Sequence, residues 1–199
     1  MLGARIRLVI LGLTACAVAA LIGVLAAGRE ESSGAAGGFE GAIRPPGAKA
    51  VEFTSLRDQA GLPITLASLG EGPAVITFIY STCEDTCPLQ VQSIRGALDR
   101  LGRDVPVIGV SVDPRNDTPL RAKRFLLKTG MTGRMRFALG HTEALQRVWR
   151  AFGIRPQSSD LDHSSYTVLI DGARRQRIGF PADQLTARRL EADLRRLGG

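Results

Sequence analysis

The sequence predicts an α/β fold, a mixed sheet sandwiched between helices. Three observations point to it. Residues 74–80 form an apolar run, and 105–112 alternate only imperfectly and are rich in Val and Ile, as strands buried on both faces do. Each run is followed by a stretch with helical periodicity. Two further short strands, 166–171 and 177–180, pair across Asp171-Gly172, a hairpin signal, so the sheet must also hold antiparallel strands.

The elements follow in order. Residues 51–56 and 62–66 read as short strands around the turn Asp58-Gln59-Ala60-Gly61, an N-terminal β-hairpin. After the strand 74–80, Leu89, Val91, Ile94, Leu98 and Leu101 mark a helix over 89–101. The strand 105–112 stops at Asp113-Pro114. Thr118 then caps a helix with Pro119 in its first position, running to about residue 128. Residues 135–139 are a strand, 142–152 a helix ended by Gly153, and 182–197 the last helix. Strands alternate with helices until the closing hairpin.

Ahead of this domain, Arg5 and Arg7 precede an uncharged run over 8–28. A bilayer needs about 20 apolar residues, so the run is long enough to span one. Three fates fit it. The first choice is an uncleaved signal anchor, a transmembrane helix, because the run exceeds the usual apolar length of about 7–15 in a signal peptide. The others are a cleaved signal peptide ending near Ala26-Ala27-Gly28, and a lipoprotein signal with Cys16 lipidated. All three place the domain outside the cytoplasm, on the periplasmic or equivalent side, close to a membrane. Three segments result: an anchor over 1–28, a small, polar, flexible linker over 29–50, and a folded domain over 51–199.

The net charge is +7, with Arg174, Arg175, Arg177, Arg188, Arg189, Arg195 and Arg196 clustered late in the chain. Nucleic-acid binding would want aromatic platforms beside such charges. Aromatics are 5% of the residues, which together with export argues against nucleic acid as a partner. A solvated helix face is the plainer explanation. Contact with anionic headgroups or an acidic surface is the sharper one.

The chemistry concentrates at Cys83 and Cys87, the only cysteines past residue 28. They lie between the strand 74–80 and the helix that follows. A strand-to-helix turn aims helix N–H groups outward and favours thiolate. If the helix starts near Cys83, the two residues share a face with Cβ atoms roughly 5–6 Å apart, close enough for one soft metal ion or a disulfide. A purely structural disulfide is a weak alternative, because so short a loop restricts the unfolded chain little. His163 lies in a polar loop before the strand 166–171, and could reach the cysteine turn if that strand neighbours 74–80. His141, the other histidine, opens a helix and reads as a surface or capping residue.

Three separated stretches carry a resemblance. Phe78-Ile79-Tyr80-Ser81-Thr82-Cys83 with Cys87-Pro88, then Ser111-Val112-Asp113-Pro114 with Asp117-Thr118-Pro119, then Asp162-His163-Ser164, occur in the order found in the Sco/SenC family. The chain resembles that family over 51–199 in outline, and the N-terminal anchor fits it too. The resemblance implies a thioredoxin-like fold with an added N-terminal hairpin. It implies copper as the metal, held by Cys83, Cys87 and His163, with Asp113 as an outer-sphere residue or merely a strand-end cap. It implies delivery of copper to, or maturation of, the binuclear copper site of cytochrome c oxidase. The oxidase subunit would be the partner, with other copper carriers or thiol reductants beside it. The family pattern has Pro after the first cysteine where this chain has Glu84, a change that bears on turn rigidity and local charge.

The donor set agrees with copper independently. Two thiolates and an imidazole suit Cu(I), and Cu(II) with one further ligand. A structural zinc site would want a fourth Cys or His, and none is obvious. The competing function is a thiol-disulfide reductase using Cys83 and Cys87 as its redox-active pair. A peroxidase on the same fold would want an Arg beside the reactive Cys, absent from Ser81-Thr82-Cys83. Trp149, Phe152 and Phe125 read as core. Tyr80 or Phe78 would shield the metal from water, and Glu84-Asp85-Thr86 would form a recognition surface.

Overall fold

The structure, a computed structural model, describes residues 3, 38–154 and 165–198. The segment read as a signal anchor, Cys16, and the His163 loop lie outside the described residues. Among the described residues no helix is long and apolar enough to cross a membrane.

The apolar run becomes β2 (Ala74–Ile79), every residue of it buried. Because side chains alternate across a strand, Val75 and Ile79 enter one core while Ala74, Ile76 and Phe78 enter the other. The remaining strands are β1 (Ala42–Ile43), β3 (Val107–Ser111), β4 (Arg136–Ala138), β5 (Tyr166–Ile170) and β6 (Gln176–Pro181). They form one sheet in the order β1-β6-β5-β2-β3-β4. β2 runs parallel to β3 and antiparallel to β5. The mixed sheet is therefore as expected, and the adjacency of the 74–80 and 166–171 strands, left as a condition by the sequence, is met.

Among the described residues four α-helices cover the two faces: α1 (Thr86–Leu101), α2 (Pro119–Lys128), α3 (Thr142–Phe152) and α4 (Ala187–Gly198). Val91, Ile94 and Leu98 of α1, Phe125 of α2 and Leu190 and Leu194 of α4 pack on Val75, Ile79 and Phe180. Leu145, Val148, Trp149 and Phe152 of α3 pack on Ile76, Phe78 and Val168 from the other side. Trp149, Phe152 and Phe125 are core, as expected. Thr118 caps α2 by accepting the Arg121 N–H at 3.2 Å, with Pro119 next, where no N–H is needed. Gly153 ends α3 at φ +69°, a left-handed conformation that suits a residue without Cβ.

Three readings are corrected. Residues 38–50 do not behave as linker. β1 pairs antiparallel with β6, and the Asp193 carboxylate on α4, fully buried, accepts the N–H groups of Glu40 and Gly41 at 2.8 and 2.9 Å. A long-range carboxylate that a local composition argument cannot see holds this segment down. The N-terminal hairpin is reduced to one antiparallel bridge, Arg57 to Pro63. Ser55 takes a positive φ of 67°, which interrupts the first strand, and Pro63 lacks a donor for the second. Phe53, Leu56 and Ile64 are buried nonetheless, so the apolar pattern reported burial rather than strands. The last helix starts at Ala187, and Ala182–Gln184 form a separate 3-10 turn.

Candidate metal centre

Leaving β2, the chain turns when the Cys83 N–H bonds back to the Tyr80 carbonyl at 3.3 Å. The helix begins at Thr86, later than the shared-face argument required, so Cys83 lies outside it. Asp85, in the capping position, makes no side-chain cap. The Cys83 sulfur does that work instead, accepting the Cys87 N–H at 3.2 Å. Proximity of the two cysteines thus arises from capping rather than from a common helical face. Pro88 sits in the first turn, where its missing N–H costs nothing.

This arrangement sets the protonation of the pair. The Cys87 thiol, the Cys87 and Asp85 N–H groups and the Tyr80 hydroxyl all donate to the Cys83 sulfur. Led by the Cys87 thiol, these donors lower the Cys83 pKa from 9.0 to about 5 against the opposing effect of burial. Cys87 moves the other way, because its proton is held by the Cys83 sulfur and because it is buried. Tyr80 is also raised, by burial first and then by the negative sulfur it serves. The exposures agree with this assignment: Cys83 is 8% accessible and Cys87 0%. At neutral pH the pair is one thiolate and one thiol, both free of disulfide.

Under the turn lies a carboxylate that the sequence reading quoted only as part of a motif. Asp117 accepts the Ser81 N–H at 2.7 Å, the Ser81 hydroxyl at 2.5 Å and the Ser111 hydroxyl at 2.5 Å. It thereby fastens the end of β3 to the residue two before Cys83. Burial raises its pKa despite these three donors. Trp149 adds an indole N–H to the Ser111 carbonyl at 2.9 Å. Asp117→Ala strands the Ser81 N–H and the Ser111 hydroxyl, so a loss of about 1–3 kcal/mol is expected in urea unfolding. Asp117→Asn keeps an acceptor and should lose less.

Asp113, the outer-sphere candidate, is half-buried and accepts the Asn116 side-chain amide at 2.8 Å. Its charge raises Tyr80 and Asp117, so it reaches the cysteines through their neighbours. His163 lies outside the described residues. The chain resumes at Ser165 and enters β5 beside the end of β2 that leads into the turn. Among the described residues no third His, Cys, Asp or Glu joins the two sulfurs as a metal cluster. His141 is exposed and makes no side-chain cap. Phe78 belongs to the core, whereas Tyr80 packs beside the site against both cores.

Gln90 is a second residue missed from sequence. It is buried one turn beyond Cys87, and its amide nitrogen reaches Thr77 Oγ1 at 2.5 Å, Thr167 Oγ1 at 2.9 Å and the Tyr166 carbonyl at 3.2 Å. α1 is thereby tied to β2 and to the start of β5. The signal for it was a polar residue on the same helical stripe as Cys87, Val91 and Ile94.

The sequence pattern of the SCO1/SenC family matches 43–198. Protein SenC of Rhodobacter capsulatus is 29% identical over 126 residues, covering 59% of this chain and 57% of that protein. An SCO2-like protein of Rickettsia felis is 28% identical over 130 residues, covering 58% and 62%. The match spans about three fifths of the length of these relatives. The structure of Bradyrhizobium japonicum ScoI with copper bound superposes with a TM-score of 0.60 at 29% identity, over 71% of this chain and 95% of that one. The mixed sheet with helices on both faces is common to the two.

Proposed function

Because the chain belongs to the SCO1/SenC family, we propose that its thioredoxin-like domain carries copper and delivers it to the binuclear copper site of cytochrome c oxidase. The observation that supports this most is the shared-proton pair Cys83–Cys87. A soft cation needs sulfur donors, and one of the two is already ionised at neutral pH. His163 is assigned as the third ligand. Copper is cargo here, so a site of three ligands with an open position suits it, because transfer proceeds by exchange with the ligands of a client. In this reading residues 1–28 anchor the chain and the domain works on the outer face of the membrane.

Copper titration of the reduced chain beside His163→Ala tests the assignment. One tight equivalent, badly weakened in the variant, is the expected result. Absence of stoichiometric copper binding in the reduced wild type overturns it.

The second reading is thiol-disulfide exchange, favoured by the same asymmetry. The Cys83 thiolate attacks a client disulfide and releases one client thiolate. Cys87 then gives up its proton to that leaving sulfur and attacks Cys83. The second client thiolate departs and the Cys83–Cys87 disulfide is left. Two electrons pass to the client, and a reductant of the dithiol class must restore the pair. His163→Ala that retains this exchange while losing copper separates the two activities.

A further inference from the structure

The cysteine turn opens into a cleft of about 210 Å³, walled by Cys83 and Glu84 on one side and by Arg121, Arg124, Phe125 and Lys128 of α2 on the other. The three cations recur at i, i+3 and i+7 and so share one helical face. Against them the cleft holds a single carboxylate, that of Glu84. Arg121 gives one donor to the Asn116 carbonyl at 2.8 Å. Arg124 and Lys128 have no hydrogen-bond or ion-pair partner among the described residues. Other arginines are held by carboxylates: Arg134 by Asp99 and Asp104, Arg136 by Asp58, Arg175 and Arg177 by Asp171. Beside the reactive sulfur this face of α2 leaves its positive charge open. The neighbouring stripe of α2 exposes Leu120 at 57% and Leu127 at 74%, apolar surface next to the cations.

We propose that this cleft docks an acidic peptide segment with apolar neighbours, belonging to the client whose sulfur or metal ligand meets Cys83. The proposal deepens the functional reading above and rests on it for the identity of the exchange. Carboxylates on such a segment would take the open donors of Arg121 and Arg124, forked guanidinium groups that match a carboxylate edge. Leu127 would receive the apolar flank. Opposite charge at the mouth also steers encounter and fixes which way round the client approaches. A protein segment fits better than a lipid surface, because Cys83 lies within the concavity and a flat bilayer would meet only its rim.

The probe is a fluorescent dodecapeptide rich in Glu and Asp with two Leu and no Cys, beside its Lys counterpart. Both are titrated by anisotropy into the reduced full-length chain. The acidic peptide should bind at least about tenfold tighter at low salt, and the preference should vanish at high salt, as screened electrostatics requires. Arg124→Glu with Lys128→Glu should invert the preference. The milder Arg124→Gln with Lys128→Gln should abolish it, with circular dichroism showing both variants folded. Equal binding of the two peptides, or a preference unmoved in a folded variant, overturns the proposal. So does a variant that loses binding to vesicles containing phosphatidylglycerol while peptide binding stays put. Copper titration of the wild type in parallel keeps two failures apart, since its loss sinks the carrier reading without touching the peptide result.

Discussion

Cys83→Ser and Cys87→Ser should each lower copper affinity by far more than the roughly 10–100-fold that loss of an outer partner of a ligand costs. Serine is nearly the same size as cysteine, so the core around α1 survives, but its hydroxyl does not ionise near neutral pH and is a hard donor. The two variants should differ in kind. Cys83→Ser removes the sulfur that is already charged and that caps α1. A hydroxyl can still accept the Cys87 N–H, so the helix start persists while the resident charge disappears. Cys87→Ser removes a fully buried thiol and leaves a charged Cys83 beside a hydroxyl, which donates a hydrogen bond at least as well but is a poor ligand for a soft ion. Competition with a chromophoric Cu(I) chelator measures both. Residual affinity within about tenfold of wild type in either variant would mean that the two sulfurs are not joint ligands. Oxidation of the pair to the disulfide should give the largest loss, because both thiolates are removed together.

The features legible in the sequence were those that local chemistry decides. Thr118 and Pro119 announce a helix start because capping involves only the next three residues. The run 74–80 announces a central strand because both its faces are apolar. Cys83 and Cys87 stand out because two cysteines four apart at a strand-to-helix junction have few structural uses. The features that stayed hidden depend on partners distant in the chain. Asp193 secures the backbone at Glu40 and Gly41 across more than 150 positions. Asp117 meets Ser81 across 36. Neither has a periodicity to betray it. Gln90 lay between these extremes, visible as a polar interruption of an apolar stripe but not attributable until Thr77 and Thr167 were seen beside it.

A shared helical face would bring the two cysteines together by a different geometry from the one they adopt. It would place both residues within one helix, whereas the sulfur of Cys83 ends the helix from outside. The difference has consequences for reactivity. A sulfur inside the first turn would meet the helix dipole alone, worth a modest shift. A capping sulfur receives discrete N–H donors as well as the thiol of Cys87, and its ionisation is tied to that partner.

Cys87→Ala should therefore raise the Cys83 pKa by about two units or more, since the largest stabiliser of the thiolate is removed while the backbone donors remain. The rate of carboxamidomethylation of Cys83 against pH reads this directly, with a midpoint near 5 in the wild type. Protein stability should follow the same titration. Between about pH 5 and 9 the unfolded chain holds a proton on Cys83 that the folded chain has lost, so the reduced protein gains stability relative to Cys83→Ser as pH rises through that window. The gain is complete above the ordinary thiol pKa and is lost as pH falls through the folded value. Cys87 has the opposite sign: its proton is retained on folding, so above about pH 9 the pair begins to lose stability as the unfolded thiol ionises. Urea titrations of the reduced wild type should show this contribution cresting near the ordinary thiol pKa, and Cys87→Ala should narrow the rising limb from its acid side. A Cys83 midpoint left near 5 in that variant would assign the thiolate to the backbone donors and the Tyr80 hydroxyl.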